Sequence, residues 1–222
     1  PHNPIGKIWD KETLQRIGDL CAKHHVLVVS DEIHCDITAP DDEYIPFASV
    51  SQTNLMNSIT CIAPTKAFNL AGLQTACIVV PNPVLYHKVN RGINTDEVAE
   101  PNSFAIAATI AAFEKGEAWL DELRGYIENN KQTAIHFIEE HFPHLHVVPT
   151  QATYLLWIDC SYICENSVEL VNKIRETTGL YLSDGLEYGE NGKTFIRMNV
   201  ACPLERLHDG LQRFYKAIKQ KE

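Results

Sequence analysis

The chain has 222 residues, of which 45% are hydrophobic and 22% charged, so it can bury a core and is not globally disordered. Its 29 acidic and 19 basic residues give a formal net charge of −10, which argues against a nucleic-acid groove or an anionic membrane surface as partner but allows a local basic pocket for a small anion. No apolar run reaches the roughly 18 residues of a membrane span, and the first residues carry no signal-peptide pattern.

The opening Pro1-His2-Asn3-Pro4-Ile5-Gly6 is turn chemistry. Asp10 is placed to cap a helix with apolar positions Leu14, Ile17, Leu20 and Cys21. Val26-Leu27-Val28-Val29 follows, an all-apolar run that suits a strand covered on both faces, as in parallel sheets. Residues 59–63 and 76–80 read as two further strands, the second stopped by Pro81-Asn82-Pro83. A helix is expected from near Asn102 to Gly116, and a longer one from about Glu117 to His141. Beyond it, residues 154–158 read as a strand. Ser167 reads as the cap of a helix with Val168, Leu170, Val171 and Ile174, closed by Gly179. Residues 195–199 are another strand. A last helix has Pro203 in its first turn and carries Leu204, Leu207, Leu211, Phe214 and Ile218 as an apolar stripe. The expected fold is α/β: a partial large domain with a mostly parallel sheet over residues 1–125, and a small α+β C-terminal domain over residues 126–222, with the helix around 117–141 as connector.

Seven cysteines are scattered, several within apolar runs such as Ile59-Thr60-Cys61-Ile62, which is how reduced, buried thiols look. A cytoplasmic location follows. Cys160 and Cys164 lack a second pair with ligand spacing and read as ordinary thiols.

In open α/β sheets, ligands gather beyond the carboxyl ends of the strands. The first strand ends in Ser30-Asp31-Glu32-Ile33-His34-Cys35-Asp36 and the second in Ala63-Pro64-Thr65-Lys66, so an acid and a lysine face one crevice. Asn3 joins that rim if a strand precedes it. Lys66, between Pro64 and Phe68, is expected to be partly desolvated, which favours the neutral amine as nucleophile or base; the bland alternative is a solvated surface lysine. Asp31 is equally suited to a turn or helix cap. Arg197 shares a strand face with Phe195 and Asn199, a solvent-facing position in the simplest reading. Glu32, His34 and Asp36 alternate and share a face if the strand continues, as metal ligands do. No second histidine is marked, however, and His136, His141, His144 and His146 straddle a helix end at Pro143, so no metal is expected.

Taken in order, Asn3-Pro4-Ile5-Gly6, Ser30-Asp31-Glu32-Ile33-His34, Pro64-Thr65-Lys66-Ala67-Phe68-Asn69, Ala71-Gly72-Leu73-Gln74 and Phe195-Ile196-Arg197-Met198-Asn199 resemble the fold-type I pyridoxal-phosphate enzymes of the class I/II aminotransferase superfamily. Within it, the turn ending in Trp9, the Asp-Glu-Ile-His-x-Asp string, Asn69-Leu70-Ala71-Gly72-Leu73-Gln74 and Arg197-Met198-Asn199-Val200-Ala201-Cys202-Pro203 look like the cystathionine β-lyase (MalY/PatB) group of C–S lyases. Typical aminotransferases have an arginine where this chain has Gln74 and often a serine where it has Ala63. Both departures agree with the lyase branch and remove phosphate ligands.

The resemblance implies pyridoxal 5′-phosphate as cofactor and a small amino-acid substrate. It makes Lys66 the covalent attachment point and the base at Cα. Asp31 becomes the partner that keeps the pyridine nitrogen protonated, Asn3 a donor to the 3′-oxygen, and Thr65 a phosphate ligand. His34 takes the place of a tyrosine that contacts the 3′-oxygen in many relatives. Arg197 becomes the two-pronged grip on the substrate α-carboxylate. The implied reaction is loss of a thiolate from cystathionine or a related cysteine S-conjugate, giving a thiol, pyruvate and ammonia. Alternatives are an aminotransferase and a non-catalytic regulatory or interaction domain of the same fold. The resemblance covers the back half or somewhat more of a catalytic chain, and the family is dimeric. A homodimer is therefore implied for the full-length form. With Pro1 as first residue, the chain is expected to be a fragment without full activity of its own.

Overall fold

The computed structural model describes residues 1–219. The chain divides into two compact units, one made of Pro1 with Ile8–Leu123 and the other of His2–Lys7 with Arg124–Glu222.

In the N-terminal unit, helix α1 (Lys11–Lys23) starts at the expected cap, where the Asp10 carboxylate accepts the Thr13 N–H at 2.7 Å. Gly18 lets this helix lie directly on Asn54: a Cβ there would stand 2.1 Å from the Asn54 Oδ1, and the Asn54 amide donates to the Leu14 carbonyl at 3.0 Å. Strand β1 (Val28–Asp31) pairs in parallel with β2 (Ser58–Ile62), and β2 pairs antiparallel with β3 (Cys77–Val79). The three-stranded sheet is therefore mixed. The first strand begins two residues into its apolar run, and Val26 and Leu27 precede it as exposed chain. Cover on both faces is not observed: Val29 is 63% exposed and Ile78 42%, on the face that the register gives them in common with Ile59 and Cys61.

Short helices α2 (Gln52–Met56) and α3 (Pro64–Ala67) flank β2. The Pro81-Asn82-Pro83 stop is also a start. The Asn82 Oδ1 accepts the N–H groups of Val84 and Leu85, and Pro83 opens helix α4 (Pro83–Thr95), with proline where a helix lacks an amide partner anyway. Helix α5 (Ala105–Lys115) leads through Gly116 into α6 (Glu117–His141), along which the chain passes from one unit to the other.

The C-terminal unit contains β4 (His146–Val147), β5 (Leu155–Asp159), α7 (Ser167–Thr178), β6 (Ser183–Asp184), β7 (Phe195–Asn199) and α8 (Leu204–Lys219). Its sheet is antiparallel throughout, in the order β4-β5-β7-β6. Alternation along the strands turns Leu156, Ile158, Ile196 and Met198 to a core that includes Ile138, Ile174, Leu211 and Phe214, each of these last four 1% exposed or less. Asn166, not Ser167, caps α7: its Oδ1 accepts the Val168 N–H at 2.9 Å, while the Ser167 hydroxyl accepts the Gly185 N–H at 3.1 Å. Gly179 closes α7 at φ 72°. The buried Asn130 amide donates to the carbonyls of Val200 and Cys202 at 2.8 and 2.9 Å, which ties the corner after β7 to α6.

The segment His2–Lys7 packs in this second unit because Gly6 fits a slot only glycine enters. Its φ is +71°, a Cβ would stand 1.9 Å from the Thr150 Oγ1, and its carbonyl accepts the Gln151 N–H at 3.2 Å. Among the described residues, no cysteine is joined in a disulfide and no helix is long and apolar enough to cross a membrane.

Candidate active site

The predicted site residues fall into two groups, one in each unit. In the N-terminal unit, β1 and β2 are parallel, so both carboxyl ends open on one sheet edge. Asp31 ends β1, and β2 leads into α3, which carries Thr65 and Lys66. The Asp31 Oδ1 accepts the Ile33 N–H at 3.1 Å and folds the chain into a turn. Asp31 and Lys66 are both exposed and Thr65 half-buried. The expected desolvation of Lys66 is thus not observed: α3 is a single turn at the sheet edge, and nothing covers the lysine among the described residues.

His34 lies in the turn and is 8% exposed. Glu32 is 3% exposed, and its Oε1 accepts the Ser30 hydroxyl at 2.9 Å and the Phe47 N–H at 3.1 Å, which makes it an anchor for the loop at Phe47. Because β1 ends at Asp31 and a turn follows, Glu32, His34 and Asp36 do not share a strand face. Burial, with Asp36 and Glu32 nearby, pushes the Cys35 thiol up to about 12. Phe68 anchors the turn that carries Lys66. Its ring stacks on Trp119 at 5.7 Å and meets Phe113 edge-on at 5.9 Å, and a Cβ at Gly116 would stand 2.4 Å from it.

In the C-terminal unit, Arg197 occupies the middle of β7, paired across the sheet with Trp157 of β5 and Ser183 of β6, on the face opposite the core. It is half-buried rather than solvent-facing. Its Nη1 donates to the Asn3 Oδ1 at 3.3 Å, its Nη2 donates to the Ser183 hydroxyl at 3.1 Å, and its Cζ lies 5.1 Å from the centre of the Tyr188 ring. Among the described residues no carboxylate pairs with it. A cation held by neutral groups and lacking an acid partner is suited to a ligand anion. Burial pushes the Tyr154 and Tyr188 hydroxyls up, and Arg197 opposes that shift.

Ser183 and Tyr188 escape the sequence reading. The strand holding Ser183 has two residues, too few to show a period, and Tyr188 sits in a 3-10 turn. The signal that marks their neighbourhood is Gly185, Gly189 and Gly192, spaced as a tight loop.

The sequence pattern of the aminotransferase class I and II family matches residues 1–214. Cystathionine beta-lyase PatB of Bacillus subtilis is 39% identical over 218 residues, which cover 98% of this chain and 56% of PatB. Protein MalY of Escherichia coli is 32% identical over 224 residues, covering 99% of this chain and 56% of MalY. The crystal structure of cystalysin from Treponema denticola, which contains a pyridoxal 5′-phosphate cofactor, matches with a TM-score of 0.96 at 28% identity, covering 100% of this chain and 56% of that one. The chain thus spans about 56% of the length of these relatives. Both groups of site residues lie within the matched stretch, and the chain belongs to the aminotransferase class I and II family.

Proposed function

We propose that the protein containing this chain is a pyridoxal-phosphate-dependent C–S β-lyase that cleaves cystathionine or related cysteine S-conjugates to a thiol, pyruvate and ammonia. The observation that carries this reading is the 39% identity to cystathionine beta-lyase PatB across 98% of the chain.

The donor set fits the cofactor. The N-terminal unit offers an exposed primary amine for its aldehyde, a carboxylate for its ring nitrogen and a hydroxyl for its phosphate, all beyond the carboxyl ends of parallel strands. When bound, pyridoxal phosphate supplies an electron sink for negative charge at Cα. Lys66 Nζ would hold the cofactor and, once the substrate amine has replaced it there, would take the Cα proton. The Asp31 carboxylate would keep a proton on the ring nitrogen, and Thr65 Oγ1 would donate to the phosphate. His34 would serve the 3′-oxygen in place of the family's tyrosine, and Asn3, whose Oδ1 accepts from Arg197, would offer it its amide nitrogen. Arg197 grips the substrate α-carboxylate and so orients the Cα–H bond. The Cβ–S bond then breaks with its electron pair leaving on sulfur as the thiolate. Water supplies the oxygen of pyruvate as the nitrogen departs as ammonia.

In this reading residues 1–125 form the remainder of the cofactor-binding domain and residues 126–222 the small domain. The working form is a homodimer, and the location is cytoplasmic, which agrees with seven cysteines outside any disulfide. Transamination is the second reading, because Lys66, Asp31 and Arg197 serve it with the same chemistry and the matched family is that of the aminotransferases.

The test uses the purified protein containing this chain. A visible absorbance band is expected, lost on borohydride treatment and absent in Lys66→Ala; a normal band in that variant refutes the lysine assignment. Pyruvate release from cystathionine without a keto acid supports the lyase. Amino-group transfer to a keto acid with no pyruvate release replaces it with the aminotransferase.

A further inference from the structure

We infer that Tyr188 and Ser183 are positioning residues that hold the Arg197 guanidinium with one edge open for a carboxylate. This rests on the reading of Arg197 as the substrate-carboxylate group. A long arginine side chain on a sheet surface has many rotamers, and any freedom it keeps before binding is lost when the ligand arrives. Here three neutral groups remove that freedom beforehand. The Tyr188 ring presents its face at 5.1 Å, the Ser183 hydroxyl accepts from Nη2 at 3.1 Å, and the Asn3 carbonyl oxygen accepts from Nη1 at 3.3 Å. A carboxylate in any of these places would compete with the substrate, whereas a ring, a hydroxyl and an amide orient the cation and leave its charge unspent.

The supports are themselves fixed. Tyr188 meets Trp157 edge-to-face at 5.5 Å and 83°, and Trp157 stacks on Phe195 at 5.2 Å and 7°. Ser183 is the cross-strand partner of Arg197 in the register of β6 and β7, so its hydroxyl is delivered by the sheet itself. The loop between them is pinned by two facing glycines: a Cβ at Gly185 would stand 2.1 Å from the Gly192 oxygen, and one at Gly192 would stand 2.1 Å from the Gly185 oxygen. The Ser167 hydroxyl takes the Gly185 N–H at 3.1 Å, and the Gly185 carbonyl takes the Tyr188 N–H at 3.0 Å.

The experiment compares the wild type with Tyr188→Leu, Tyr188→Phe and Ser183→Ala in the cofactor-loaded protein. Each is titrated with an α-amino acid and with the carboxamide of the same amino acid, following the visible band, and KM and kcat are measured separately. Tyr188→Leu is expected to bind the acid roughly 5- to 30-fold more weakly, the range of a partly desolvated cation–π contact, with the carboxamide little changed and KM rising more than kcat falls. Tyr188→Phe keeps the ring face and restores acid binding to within about twofold. Ser183→Ala loses roughly 3- to 10-fold, again for the acid alone, and carries the same test if Tyr188→Leu does not fold. Unchanged acid binding in both Tyr188→Leu and Ser183→Ala, or equal loss for acid and carboxamide, overturns the inference. A wild type without the visible band overturns the cofactor reading itself, and the inference with it.

Discussion

The two units place charged groups on sheets in opposite ways. The C-terminal unit closes one continuous core, from Ala134 and Ile138 through Ile158 and Ile196 to Phe214 and Ala217, under one face of an antiparallel sheet. Arg197 stands on the other face, held by Asn3, Ser183 and Tyr188, all within the same unit. The N-terminal unit has the three-stranded sheet but, among the described residues, no comparable cluster. Val98 at 69%, Phe104 at 78% and Ile106 at 56% remain exposed, as does Val29 on the sheet. Its strand-end groups are set by the turn that Asp31 closes and by the packing of Phe68 against Phe113, Gly116 and Trp119. Side-chain partners hold the Arg197 guanidinium directly, whereas Asp31 and Lys66 are placed by the strand end and the short helix that carry them.

Three substitutions test that contrast. Phe214→Ala, at 0% exposure in the closed core, is expected to cost about 3–5 kcal/mol in chemical denaturation followed on the C-terminal unit; a cost below about 1 kcal/mol would show that this core is not the organising one. Gly6→Ala puts a Cβ on Thr150 at a positive φ and is expected to cost about 1–3 kcal/mol. It should also weaken carboxylate binding by displacing Asn3; unchanged binding would separate the turn from the grip. Val29→Ala, on the uncovered face, is expected to stay within about 0.5 kcal/mol, and a loss above about 2 kcal/mol would mean that this face is buried in solution and would erase the difference between the units.

Much of the fold was legible because its elements carry strong local signals. Helix α6 has the bounds its pattern indicates, Glu117–His141, and α8 follows the stripe Leu204, Leu207, Leu211, Phe214. The Asp10 cap is as expected. The elements that escaped are short or ambiguous: β4 and β6 have two residues each, and Pro81-Asn82-Pro83 ends one element while starting another. Lys66 and Asp31 were legible as strand-end residues, but not their exposure, because apolar runs do not reveal whether a covering layer is present.

By itself the sequence determined which residue types are available and in what order: the acid after the first strand, the lysine after the second, the arginine inside an apolar strand. Periodicity and turn chemistry act over a few neighbours and suffice for that. Only the tertiary structure decided what Arg197 touches. Its partners stand 194 residues away at Asn3 and 14 away at Ser183, brought to it by a glycine slot and a strand register. Contacts at that separation are set by how layers pack, and no local pattern along the chain encodes them.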